Sequence, residues 1–281
     1  MSIRETYEAF KKASLDIPME QYNIFRKALL TSGNLKTFRD ESPIDYKYKM
    51  DNPTNFDTVA MKEGRAVHTL VLEGQETFAQ EYVIADDAPI NPGTENPYGP
   101  TSNKYLDWAA EKQTGGKALL SIPENNNVVR IRDAVYANPK MADIFSDGLA
   151  ERTLRANYCG VDCQVRPDWV SPVYGIIDLK KTANLKWFLK DAKWTYRYIH
   201  AAAFYRSVVR VALGIDYEDF PFCLAAVESQ APYKTAIYQI DPELLDLCER
   251  ENQSAVEDLA ECYESGIWKS GFEGIELIET M

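Results

Sequence analysis

Histidine and cysteine are both scarce in this chain. Its 281 residues include two histidines, His68 and His200, and five cysteines. An odd cysteine count in a chain this large argues against a disulfide framework. A reduced, cytosolic setting is the simplest expectation. Cys159-x-x-x-Cys163 could be grouped with Cys248 and Cys262 around zinc or an iron–sulfur cluster. That spacing is unusual for such sites, and Cys163 alternates with apolar neighbours, so buried small side chains explain these residues better. No apolar run approaches the ~20 residues a membrane helix needs. Met1 to Lys11 carries charge with no apolar h-region, so no secretory signal is expected. Cations are also outnumbered: 31 Lys and Arg against 43 Asp and Glu leave a formal charge of −12. That balance counts against a protein that simply coats nucleic acid. It leaves room for an enzyme with a local basic groove, because clustered charge matters more than the sum.

What is present is an ordinary globular composition, 45% apolar and 26% charged. No internal repeat or linker divides the chain, so residues 1–281 are expected to form one domain. Residues 1–145 read as a mainly helical part and 146–281 as an α/β core. "YEAFKKA", "MEQYNIFRKALLTS" and "TVAMKEGRAVHTLVLEG" have helical apolar spacing, the last with Gly74 as its stop. Residues 86–103, rich in proline, read as a long loop. "NKYLDWAAEKQTGGK" and "NNNVVRIRDAVYANPKMADIFSDG" return to helix. The "TGGK" at 114–117 is not a phosphate loop, since Glu111 stands where glycine is needed and Ala118 replaces Ser or Thr.

From residue 151 the pattern alternates as strands do. "VDCQVRPDWV" puts Val161, Cys163 and Val165 on one face and Gln164, Arg166 and Asp168 on the other. "SPVYG" connects it to a second strand, "GIIDLKKT". A long helix is predicted from about Asp191 to Leu213, then strands "FPFCLAAVES" and "KTAIYQI", then a last helix capped by Asp241. The whole reads as a mixed sheet flanked by helices, with a helical N-terminal layer.

On the strand 175–182, Asp178 and Lys180 share one face while Ile177 and Leu179 take the other. Asp168 ends the partner strand and can swing toward the same place. Two acids beside a lysine are expensive to bury without a task. A divalent metal answers that expense, because Mg²⁺ takes carboxylate oxygens plus waters and substrate phosphate. A neighbouring lysine can orient the attacking water. Asp-x-Lys on a strand is also common as a surface ion pair worth little. Pro167-Asp168, ten positions before Asp178, gives the set the layout of the PD-(D/E)xK nuclease core.

Motifs elsewhere carry a closer resemblance. "EGRAVHTLVLEG" (63–74) is similar to the "fGtavHtlvLEp" helix of the RecE family, phage recombination nucleases of the exonuclease VIII type. "SGNLKTFRDESPIDYKY" (32–48), "NKYLDWAAEKQTGGKALLS" and "YRYIHAAAFYRSVVRVALG" resemble further segments of that family in the same order. The resemblance runs from about residue 20 to about residue 260. It implies that His68 is a metal-ligating histidine, as in the RecB nuclease domain, with Asp168 and Asp178 as metal carboxylates. It makes Lys180 the catalytic lysine, and gives Glu151, in "AERTL", a contact to metal through water. Tyr205 matches a tyrosine of the helix motif. The family glutamine four residues earlier falls on Ala201, and His200 next door is a candidate to take its role. Arg166 and Lys181 flank the acids in sequence and are candidate phosphate contacts, which would position the DNA backbone without reading sequence.

The resemblance implies Mg²⁺ as cofactor, with Mn²⁺ as substitute, and double-stranded DNA ends as substrate. It further implies 5′-to-3′ digestion, a single-strand annealing partner of the RecT type, and a ring-shaped homo-oligomer, a tetramer, in a bacterial cytoplasm with no membrane contact. The residues themselves leave open a PD-(D/E)xK endonuclease, a single-strand exonuclease, and a non-catalytic DNA-binding protein of the same fold.

Overall fold

This computed structural model describes residues 1–26, 28–53, 58–215 and 220–274. The first half is built of helices α1 (Ile3–Ala13), α2 (Met19–Phe25), α3 (Ser32–Asp40), α4 (Pro43–Asp51), α5 (Val59–His68) and, after a π-helical turn (Thr69–Glu73), α6 (Gly74–Glu81). Ser2, Thr31, Ser42 and Thr58 each accept a hydrogen bond from the N–H three residues on, which explains where four of these helices begin. Gly74 (φ 90°) does end the first helical run, but α6 starts from the same residue. Short strands β1 (Tyr82–Ile84), β2 (Ile90–Asn91) and β3 (Asn96–Pro97) follow, then α7 (Asn103–Lys112), β4 (Ala118–Leu120), α8 (Ile122–Ala137) and α9 (Pro139–Ile144). The proline-rich loop thus contains a small β2–β3 hairpin. No described helix is long and apolar enough to cross a membrane.

The second half holds β5 (Leu149–Ala150), β6 (Leu154–Tyr158), β7 (Val161–Val165), β8 (Trp169–Ser171) and β9 (Gly175–Thr182). After β9 come α10 (Leu185–Lys190), a second π turn (Asp191–Thr195), α11 (Tyr198–Leu213), β10 (Phe222–Glu228), β11 (Thr235–Gln239) and α12 (Pro242–Ser265). Two expectations are corrected here. Residues 161–170 are two strands in different sheets, because Pro167 has no N–H to continue the ladder. Asp168 therefore precedes β8 rather than ending β7. The helix expected over 191–213 is broken at Arg197, whose φ is 58°.

The main sheet has the order β11-β10-β9-β8-β5, with only β9 and β10 parallel. It is covered on both faces, so β10 is buried along its whole length. On one face Ile176, Phe222 and Leu224 pack with α1, α3, α11, α12 and the β6–β7 hairpin. On the other, Ile177, Leu179, Ala225 and Val227 pack with α5, α8 and α9. The N-terminal helices are thus split between the two faces, and α5 reaches β8 and β9 through His68 beside Asp168 and Glu63 paired with Lys181.

Gly175 opens β9 at φ 75°, in the left-handed region, and a Cβ there would stand 2.3 Å from the Pro221 carbonyl oxygen. That oxygen accepts the Ile176 N–H at 2.9 Å. Gly175→Ala would have to push β9 away from the chain leading into β10. It should cost more than about 2 kcal/mol and lower the Tm by about 5 °C or more. Thermal unfolding checks this, and an unchanged Tm would mean the backbone relaxes without loss.

Candidate active site

Strand register brings the two acids together. Trp169 pairs with Ile177 and Val170 with Ile176 in the antiparallel β8–β9 ladder. Continuing that ladder by one residue sets Asp168 opposite Asp178. Asp168 Oδ2 also accepts the N–H of Leu179 at 2.7 Å, which fixes its carboxylate against β9. Glu151 follows β5, and its N–H donates to the Asp168 carbonyl at 3.1 Å. Its φ of 50° is unusual for a side chain other than glycine, and such a conformation persists only where neighbours hold it. Here Arg166 Nε donates to Glu151 Oε2 at 2.7 Å, while Arg166 Nη1 donates to the Ile17 carbonyl at 2.7 Å.

His68 completes the cluster from the other side. It is the last α-helical residue before the π turn, and such turns often accompany functional sites. Its Nδ1 lies 3.6 Å from Asp168 Oδ2 and 3.8 Å from Glu151 Oε1. One ligand atom from each of His68, Glu151 and Asp168 falls within 4.8 Å of the others. Glu151, expected to contact metal through water, stands with its carboxylate beside the other two. Asp178 lies next to the cluster and is bonded to Lys180 Nζ at 2.6 Å. Lys180 Nζ is also 4.0 Å from Asp168 Oδ2 and 5.1 Å from the ring centre of Tyr198.

The electrostatics expose an excess of negative charge. Burial pushes the Asp178 carboxyl up; Lys180 opposes this, and the adjoining Asp168 raises it again. Burial alone would lower Lys180, but Asp178 and Asp168 outweigh it and hold the ammonium charged. Burial would also lower His68, yet Asp168 and Glu151 carry it up to about 9. The imidazole proton supplies positive charge that the crowded carboxylates demand. Carboxylate oxygens plus one imidazole are a donor set that fits a divalent cation, with Mn²⁺ better suited to the nitrogen than Mg²⁺.

The remaining expected residues separate into two groups. Tyr205 and His200 line the same cleft as Asp168, Asp178 and Lys180, a cavity of about 240 Å³. Burial raises the Tyr205 hydroxyl well above its usual value, with Tyr22, Asp178 and Asp168 adding to the shift and a hydrogen bond with Ser32 opposing it. His200 Nε2 is 2.7 Å from Glu251 Oε2 on α12. The two expected phosphate contacts lie elsewhere. Arg166 is buried and committed to Glu151 and Ile17, so it positions a carboxylate. Lys181 points to the opposite sheet face, where it is paired with Glu63 of α5. Strand alternation itself carried that signal, since Lys181 must face away from Lys180. Tyr198, beneath Lys180, has no motif of its own, and only the tyrosine density of "YRYIH" marks it in the sequence.

Comparison with known proteins bears on the family and the fold. A family model described as a PDDEXK-like domain of unknown function (DUF3799) matches residues 32–280. A solved structure from Eubacterium rectale, titled a "putative exonuclease", superposes with a TM-score of 0.64 at 12% identity, covering 95% of this chain and 97% of that one. A search of curated proteins finds no match.

Proposed function

Because the chain belongs to the PDDEXK-like domain family, we propose that it is a metal-dependent deoxyribonuclease of the exonuclease kind. The convergence of His68, Glu151 and Asp168 beside the Asp178–Lys180 pair carries this reading. His68, Asp168 and Asp178 are the ligands expected from the sequence; the donor atoms grouped within 4.8 Å are those of His68, Glu151 and Asp168, with Asp178 beside them, bonded to Lys180. A bound divalent ion would polarise the scissile phosphate and favour ionisation of water. The chain's own residues do the rest. Lys180, held charged by two acids, faces the position where negative charge grows on phosphorus. Arg166 anchors Glu151 and the Leu179 N–H anchors Asp168, so both carboxylates are oriented before substrate arrives. Tyr205 and His200 line the cleft where a strand would lie.

The finer reading is digestion of linear double-stranded DNA from 5′ ends, leaving 3′ single strands for a RecT-type annealing partner. The motif resemblance to RecE nucleases supports it, and the Eubacterium rectale structure carries the description "putative exonuclease". A ring-shaped oligomer, a tetramer, would reconcile the −12 charge with a locally basic channel. The test compares linear and covalently closed circular duplex of one sequence with Mg²⁺ or Mn²⁺. Only the linear form should be degraded, and cleavage of the closed circle would make the protein an endonuclease.

Beside Asp178, whose carboxyl is raised by burial, His68 contributes to the pH dependence of metal binding above neutrality. In the ion-free protein its raised pKa stabilises the fold fully below about pH 6.5, and that contribution is lost as pH rises through about 9. A cation requires the neutral imidazole and so competes with this proton. Apparent Mn²⁺ affinity should rise by up to about tenfold per pH unit across that window. His68→Ala should lose most of this slope, along with any advantage of Mn²⁺ over Mg²⁺. Calorimetric titration across the window checks both, and identical titrations would remove His68 from the ligand set.

A further inference from the structure

The segment linking β9 to α11 presents large aromatic side chains to solvent, and Tyr196 to Tyr198, at its end, line the cleft. Trp187 is 53% exposed, Trp194 61% and Tyr196 51%. Indole rings left this open need an explanation, because exposed apolar clusters mark interaction sites. The same segment is basic, although the chain as a whole is acidic. Lys186, Lys190 and Lys193 are all exposed, and Asp191 is the one acid among residues 185–195. Lysine and tryptophan are interleaved: Lys186 Nζ lies 5.1 Å from the Trp187 ring centre, and Lys193 Nζ lies 5.0 Å from that of Trp194.

The surface connects to the reacting groups. Tyr196 stacks on Tyr198, with ring centres 5.2 Å apart and planes 17° from parallel. The Tyr198 ring in turn lies under Lys180 Nζ. From the facing wall of the cleft, Lys36 Nζ donates to the Thr195 carbonyl at 3.3 Å, which ties α3 to the end of this segment. Two stacked rings, Tyr196 and Tyr198, therefore join the end of this segment to Lys180. Every nucleobase has a π-face, and every linkage between bases has a negative phosphate. Interleaved aromatic and cationic side chains match that repeat, and they do so without sequence preference.

We propose that Trp187, Trp194 and Tyr196, with Lys186, Lys190 and Lys193, form a stacking surface for unpaired nucleotides of a DNA strand at the mouth of the cleft. Its occupant rests on the deoxyribonuclease reading, but the surface is testable without cleavage. The full chain would be titrated, with chelator present, against labelled oligothymidylate and against an abasic oligonucleotide of equal length. Both carry the same phosphates, so only stacking separates them. Wild type should bind the thymidylate roughly tenfold or more tightly than the abasic strand. Trp187→Ala/Trp194→Ala should bind both alike, with Tm and oligomeric mass unchanged. Lys186→Gln/Lys193→Gln should weaken both strands equally and flatten the salt dependence.

A wild type with no preference for bases would overturn the proposal, as would a tryptophan variant that keeps the preference. So would a loss of preference that comes with a change in oligomeric mass, which would make this face a contact between copies of the chain. A missing preference alongside intact metal-dependent cleavage removes the stacking surface alone. A tryptophan-dependent preference in a protein that cleaves nothing removes the nuclease and leaves the surface.

Discussion

Asp178→Asn is expected to abolish phosphodiester cleavage, lowering the single-turnover rate by at least about 10³-fold, while the protein stays folded. Asp178 lies opposite Asp168 by strand register, is buried, and is bonded to Lys180 at 2.6 Å. Asparagine keeps the shape and can still accept from Lys180. It removes the negative charge that a hard divalent cation requires of its ligands. The fold should survive because burial and Asp168 already push this carboxyl toward its neutral form in the ion-free protein. Circular dichroism and Mn²⁺-supported cleavage must be measured on the same preparation. A folded variant with near-normal activity would take Asp178 out of the site.

Lys180→Ala should lower the chemical rate by about 10²–10³-fold and change DNA affinity little. Its ammonium sits between Asp178 and Asp168 at the head of the cleft, and both acids hold it charged. Electrostatic help placed where charge develops acts on the transition state and little on the ground state. A phosphate clamp would behave differently, because binding would weaken and the salt slope of log K would fall by about one contact. Single-turnover digestion at saturating protein, beside binding measured in Ca²⁺, separates the two roles. Cleavage at the wild-type rate once saturated would make Lys180 a clamp.

The sequence made the centre of this site legible and left its surroundings hidden, for definable reasons. Alternation along "GIIDLKKT" put Asp178 and Lys180 on one face, and the connection ending at Gly175 returned Asp168 to the facing position. Both facts follow from strand geometry and local turns. Pro167 breaks the strand, but apolar alternation continues across it in "VDCQVRPDWV", so the pattern alone sets Asp168 one element too early. Arg166 looked like a phosphate contact because its fate depends on Ile17, 149 residues away. The reach of Glu151 depends on a left-handed φ that no residue type announces, since such a conformation is rare outside glycine. His68 was visible only through a motif, because its distance to Asp168 is set by how α5 and its π turn pack on one face of the sheet.

The most direct test is digestion of end-labelled linear duplex by the purified wild-type protein with Mg²⁺, with Mn²⁺ and with chelator. A metal-dependent exonuclease should release label progressively with either ion, faster or at lower concentration with Mn²⁺, and release none with chelator. Duplex left intact at protein excess with both ions, or degraded equally in chelator, would contradict a divalent-metal nuclease centred on His68, Glu151, Asp168, Asp178 and Lys180.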